Sequence, residues 1–376
     1  MKSITPLLLA GLLASCAVDP NANVKIVDPN ATAETKALFR NLDEIRKTHV
    51  LFGHQDDLAY GVKWVNEPGR SDVKEITGAY PAVFGWEIGH IELDSAQNLD
   101  KVNFENMKRW MREGYEAGGV ITISWHLNNP VNGASSWDKT VTVPHILPGG
   151  SHHDVFLTYM DRLAVFLGDI KAADGTLIPV IFRPWHEQTG GWFWWGSDST
   201  TPEDYIALYR FTVEYLRDTK GLRNLLYAWS PNSPSDYGYE NFLVTYPGDE
   251  YVDVMGFDDY WSLDKRENGV AVMTEHLKFL VETAEARGKI PALTETGLEA
   301  VRDSTWFTQK LLKSIKDDPT SRRIAFALVW RNSNETVDRK DHFYAPYPGH
   351  PAAADFILFK NDPLILFADG LPNLYQ

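Results

Sequence analysis

The sequence predicts an α/β protein, a single-domain (β/α)₈ TIM barrel over residues 31–376. Three observations predict it. Eight short β-rich runs recur along the chain, amphipathic stretches separate most of them, and seven of the eight runs close on polar or aromatic side chains. Strands alternating with helices give a parallel sheet wrapped by helices, and eight such units close into a barrel. A doubly wound open sheet is the structural alternative, but no glycine-rich dinucleotide fingerprint follows the first run.

The elements follow in chain order. Residues 1–15 read as a signal peptide. Lys2 gives a positive start, Leu7 to Leu13 form an apolar stretch too short to span a membrane, and small residues precede a cleavage point. Leu13-Ala14-Ser15-Cys16 resembles a bacterial lipobox, which implies lipidation of Cys16, the only cysteine of the chain. Residues 16–30 then form a spacer, rich in Pro and Asn, leading away from a membrane anchor. The expectation is an exported lipoprotein of the outer membrane, facing periplasm or cell surface. With no second cysteine the exported protein makes no internal disulfide.

A first helix is expected over Ala31–Lys47, where Leu38, Phe39, Leu42 and Ile45 fall at helical spacing. The β-rich runs are His49–Gln55, Ala82–Ile88, Val120–Leu127, Pro179–Glu187, Leu225–Pro231, Val252–Tyr260, Pro291–Gly297 and Ile324–Asn332. Helices are expected at Phe104–Ala117, Val155–Ile170, Pro202–Lys220, Val272–Arg287, Thr305–Lys316 and Ala352–Lys360. No linker, composition shift or internal repeat divides the chain.

Composition narrows the partners. A net charge of −15, or −16 once residues 1–15 and their Lys2 are removed, argues against nucleic acid and anionic membrane. It suits a monomeric body acting on a neutral polymer, with contact to membrane only through the anchor. Thirteen Trp and sixteen Tyr offer flat apolar faces with polar edges, which suit sugar rings as well as a core.

The run ends carry the chemistry. His54-Gln55, Trp86-Glu87, Trp125-His126, Trp185-His186-Glu187, Asp258-Asp259-Tyr260, Thr294-Glu295 and Trp330-Arg331 all fall where barrel strands open into a shared mouth. Such groups are costly in a core and useful at a cleft. Glu187 and Glu295 end the fourth and seventh runs, which face one another across an eight-stranded barrel. Glycoside hydrolysis needs a proton donor and a second carboxylate; about 5–5.5 Å between them gives retention of configuration. The residues do not say which glutamate does which. Trp330 is expected as a flat floor beneath the sugar at the cleaved bond.

Phe182–Glu187 followed by Gly190-Gly191-Trp192, then Gly256–Tyr260, then Thr294–Gly297, resembles glycoside hydrolase family 26, in order from Phe52-Gly53-His54-Gln55 to Trp330-Arg331. The resemblance implies a retaining β-mannanase, and no cofactor or metal is expected. It implies Glu187 as acid/base, Glu295 as nucleophile and Tyr260 as the hydroxyl holding the nucleophile. It also implies that His126 and Asp258 hold sugar hydroxyls, that His186 orients the neighbouring sugar or the donor, and that Trp192 walls the leaving-group side. Arg331 is expected to offer forked donors at the cleft rim. Trp137 and the remaining aromatics of Trp192–Trp195 serve loop packing or sugar binding. The competing readings are a hydrolase of mixed-linked β-glucan or β-1,3-xylan, and a lipoprotein that captures glycan without cleaving it. A metal hydrolase lacks a His-Glu-x-x-His helix, and a serine hydrolase lacks its Gly-x-Ser-x-Gly elbow.

Overall fold

The computed structural model describes Asn21 and residues 24–236, 238–334, 336 and 338–376. The expected signal peptide and Cys16 lie outside the described residues. Among the described residues, no helix is long and apolar enough to cross a membrane.

Eight parallel strands close into the expected barrel: β1 (Val50–Gln55), β2 (Val83–Glu87), β3 (Val120–Ser124), β4 (Val180–Arg183), β5 (Leu225–Trp229), β6 (Val254–Asp259), β7 (Ile290–Thr296) and β8 (Phe326–Val329). Each pairs with its sequence neighbour, and β8 returns to β1 from Leu51↔Phe326 to His54↔Val329. A short segment, Ile365–Leu366, pairs with the outer start of β1.

Two apolar layers hold the barrel. Leu51, Val83, Val120, Ile181, Leu226, Val254, Ala292 and Phe326, one from each strand, pack together with Leu38, Leu42 and Ile45 of α1 (Ala33–Ile45). The i, i+4, i+7 stripe of α1 thus plugs the end of the barrel opposite the strand tips. The Thr32 side chain caps α1 by accepting from the Thr35 backbone N–H. A larger layer of aromatic and aliphatic side chains fills the space between the barrel and its helices.

The helices fall close to their expected bounds because their caps are readable. Asn103 caps α2 (Phe104–Glu116), and Thr201 followed by Pro202 starts α4 (Pro202–Glu214); between them lies α3 (His153–Gly168). Among the described residues the β5–β6 connection carries only the 3₁₀ segments Tyr239–Thr245 and Asp249–Tyr251, so one of the seven crossovers lacks an α-helix. The spacer also ends earlier than expected. The Val27 N–H donates to Asp253 Oδ1 (2.7 Å) and Asp28 pairs with Arg223 (3.0 Å), so the packed body begins upstream of Ala31.

Candidate active site

The strand tips are shorter than the hydrophobic pattern suggests because the chain turns sharply as it leaves the sheet. β4 ends at Arg183, and both Trp185 and Glu187 have φ of 54°, in the left-handed region that side chains with a Cβ rarely adopt. Such backbone persists only where its surroundings hold it. Trp185 is sealed in the core with its indole N–H on Thr212 Oγ1 (3.1 Å), and the Glu187 N–H donates to Ser230 O (2.8 Å). The turn buries one residue to present the other.

β7 reaches the same place by a bulge. Phe257 opposes Leu293, but the next β6 residue, Asp258, opposes Glu295, leaving Thr294 as the extra residue; the β7–β8 register shifts at the same point. A bulge breaks the in–out alternation of a strand. Thr294 and Glu295 therefore both join the polar cluster at the mouth, Thr294 Oγ1 donating to Asp258 Oδ1 (2.8 Å).

One oxygen each of Glu187, Asp258 and Glu295 lies within 4.8 Å of the other two. Arg183, buried beneath them, supplies the positive charge. One guanidinium nitrogen donates to Asp258 Oδ2 (2.5 Å) and the other to Glu295 Oε2. The Tyr260 hydroxyl donates to Glu295 Oε1 (2.7 Å), so both oxygens of Glu295 accept hydrogen bonds. Glu187 receives one bond, from the Trp192 indole N–H to Oε2 (2.8 Å). Burial, with the facing Glu295 and Asp258 carboxyls, pushes the Glu187 carboxyl well above the usual range. Burial likewise pushes Asp258 up to about 7, even with Arg183 pulling it down.

Beside this cluster stands a chain of Glu87, His126 and His186. Both Glu87 oxygens are used. Oε1 accepts from the N–H groups of Gly89 (2.6 Å) and His126 (2.7 Å), and Oε2 from Ser124 Oγ (2.8 Å), with His126 Nδ1 at 2.7 Å. Burial favours the neutral form of each partner, but their mutual attraction wins. The Glu87 carboxyl is held below its ordinary value and the His126 imidazole above its own. His126 Nε2 lies 3.1 Å from His186 Nε2. Burial, then the Arg183 and His126 charges, push His186 well below its ordinary value, so the neutral ring accepts the bond there.

Glu187, Glu295 and His126 open onto a cavity of ≈ 470 Å³ lined also by Trp137, Trp192, Phe193, Tyr260, Trp330 and Tyr344, among others. Residues 27–348 match the sequence model of glycosyl hydrolase family 26. The chain belongs to that family.

Among family relatives, a mannan endo-1,4-β-mannosidase of Bifidobacterium adolescentis is 36% identical over 363 residues, 92% of this chain. The chain spans only 36% of that relative's length. A solved β-mannanase of the same family from Bacteroides ovatus is 44% identical, with a TM-score of 0.86 over 92% of this chain and 98% of that one. A modular endo-β-1,4-mannanase from Cellulomonas fimi is 38% identical, with a TM-score of 0.85 over 94% of this chain and 79% of that one.

Within this family 26 barrel, the expected residues fall into two sets. Glu187, Glu295, Tyr260, Trp192, Trp330 and His126 line the cavity, and Asp258, paired with Arg183, lines the adjoining hollow beside Glu187. His186 does not reach the cavity. It is buried behind His126, and its Nδ1 has no partner. Arg331 departs from the expectation of free forked donors. Asp338 binds both ends of its fork and Asp100 approaches it at 3.1 Å, so it secures the loop after β8 instead of meeting sugar hydroxyls. Trp137 proves a cleft residue, 55% exposed and stacked 5.5 Å from His126 with ring planes 8° apart.

Three contributors carried no assigned role in the sequence. Arg183 lies inside the Phe182–Glu187 motif, and an arginine closing a buried strand was the available signal. Glu87 was visible as a strand-end carboxylate, but its partner His126 lies 39 residues away. Tyr344 comes from the long loop after β8, where its ring sits against Gly297; a Cβ on that glycine would stand 2.5 Å from the ring. No local pattern marks that approach.

Proposed function

We propose that the chain is a retaining glycoside hydrolase that cleaves β-1,4-mannosidic bonds, with Glu187 as acid/base and Glu295 as nucleophile. The observation that carries this reading is the asymmetry of hydrogen bonding within one close carboxyl pair. Glu295 accepts on both oxygens and is suited to attack as a carboxylate, whereas Glu187 has one oxygen without such a donor and is held toward its protonated form. One oxygen of each lies within 4.8 Å of the other, which supports the close spacing of a retaining pair.

In the first step Glu187 gives its proton to the glycosidic oxygen while Glu295 bonds to the anomeric carbon and the C–O bond to the leaving sugar breaks. In the second, water attacks the same carbon, Glu187 takes a proton from it, and the bond to Glu295 breaks. Two displacements restore the β configuration. Arg183 and Tyr260 keep Glu295 aimed, and Trp330 supplies an apolar face beneath the ring. Mannan as substrate is supported by the names of the relatives, which span well-matched barrels.

The test is digestion of linear β-1,4-mannan beside mixed-linked β-glucan and β-1,3-xylan, followed by reducing ends and product length. Mannan is expected to give a spread of oligosaccharide lengths at early times. Release from glucan or xylan but not mannan would overturn the substrate assignment. Unchanged polymer in all three at high enzyme concentration would favour a glycan-capturing protein.

A further inference from the structure

The cleft has a second half. A cavity of ≈ 450 Å³ shares Glu187, Trp192, Tyr260 and Asp264 with the first but touches neither Glu295 nor Trp330. It runs outward over the β5 and β6 loops, past Asn232, Asp236 and Arg266 to Trp261. A proton donor stands against the oxygen that departs, so the half containing Glu187 without Glu295 receives the leaving sugars. Trp192, bonded to Glu187 through its indole N–H, flanks the first of them.

Trp261 has no packing reason to be tryptophan. It follows Tyr260 at the start of the short helix Trp261–Lys265 and is 61% exposed. Among the described residues its ring stacks on no other aromatic and its indole N–H donates no hydrogen bond. A single exposed aromatic is ordinary on a protein surface, but beside a polar hollow it supplies a flat apolar face at the edge of hydrogen-bonding groups. The hollow beside it offers what sugar hydroxyls need. Among the described residues the Asn232 side-chain N–H₂ meets no acceptor, Asp236 keeps one carboxylate oxygen beyond the one that accepts from Ser233, and Arg266 lines the same hollow. A flat apolar face bordered by amide, carboxylate and guanidinium fits a pyranose with its equatorial hydroxyls.

We infer that Trp261 is the outer sugar platform of the leaving-group half, one unit beyond Trp192, and that it makes the enzyme prefer bonds with two sugars on the leaving side over bonds with one. The inference rests on Glu187 being the proton donor. It assigns a specificity role and no part in bond breaking.

The experiment is cleavage of mannotetraose and mannopentaose in H₂¹⁸O, where the label marks the new reducing end and mass spectrometry assigns which bond broke. In the unsubstituted enzyme the flux through the bond with two leaving sugars should exceed that through the bond with one. Trp261→Ala should reduce that ratio by about tenfold, the scale of one lost aromatic contact. Trp261→Phe should restore most of it. A Trp261→Ala enzyme that turns over with the unsubstituted cleavage pattern would overturn the inference while leaving the donor assignment standing. A Glu187→Ala enzyme that cleaves mannotetraose at the unsubstituted rate would overturn the donor assignment, and the inference with it.

Discussion

Glu295→Ala is expected to lower kcat on mannan by about 10⁴- to 10⁶-fold, the usual scale for removing an attacking nucleophile, with the barrel still folded. The loss is large because no other carboxyl holds its position: Asp258 is tied to Arg183, Ser230 and Thr294. Glu187→Ala should behave differently. Mannan turnover should fall comparably, but an aryl mannoside whose leaving group departs without a proton should keep much of its first-step rate. Kinetics on both substrates, with circular dichroism to confirm folding, check the pair. A Glu295→Ala enzyme of nearly full activity would remove that residue from the mechanism. The pH profile should follow the donor. Burial and the neighbouring carboxyls raise the Glu187 pKa, so its protonated form persists to higher pH, and kcat/KM should fall as pH rises through that raised value.

Arg183→Met should cost about 3–5 kcal/mol of stability at neutral pH, the range for removing one partner of a buried ion pair. Methionine matches the aliphatic stem and packs, but it leaves Asp258 and Glu295 facing one another without a counter-charge. The pH dependence identifies the cause. A buried carboxyl whose folded pKa is raised above its unfolded value destabilises the fold at high pH, and that cost shrinks as pH falls from the folded pKa toward the unfolded one. Asp258 is already pushed up to about 7 with Arg183 present. Removing Arg183 raises it further, so the deficit of the variant should be largest above pH 7 and shrink as pH is lowered through about 7. Urea denaturation at several pH values measures it. A deficit that stays constant over that window would mean that lost packing, not lost charge, is the cause. Activity should fall as well, because Glu295 loses one of its two donors.

The barrel and its two glutamates were legible in the sequence because both depend on local pattern. Short apolar runs mark strands, caps such as Asn103 and Thr201 mark helix starts, and a glutamate closing an apolar run has little use inside a core. The supporting structure was not legible, for reasons of distance and geometry. Arg183 meets Asp258 and Glu295 from 75 and 112 residues away, separations that no sequence period reports. The bulge at Thr294 breaks the alternation from which strand faces are read, so the pattern alone would turn Thr294 and Glu295 to opposite faces. The left-handed backbone at Trp185 and Glu187 gives no compositional warning, since neither is glycine. Arg331 shows the converse error. A strand-end arginine has the chemistry of a sugar ligand, and only the folded loop brings Asp338 and Asp100 to occupy it.

We propose that Glu187 and Glu295 share one sugar and act in two displacements. The most direct measurement is proton NMR of the anomeric signals during the first minutes of mannooligosaccharide cleavage, before mutarotation mixes them. Two displacements predict that the β-anomer of the new reducing end appears first and the α-anomer grows in afterward. An α-anomer formed first would mean a single displacement by water, and Glu295 would not be the nucleophile.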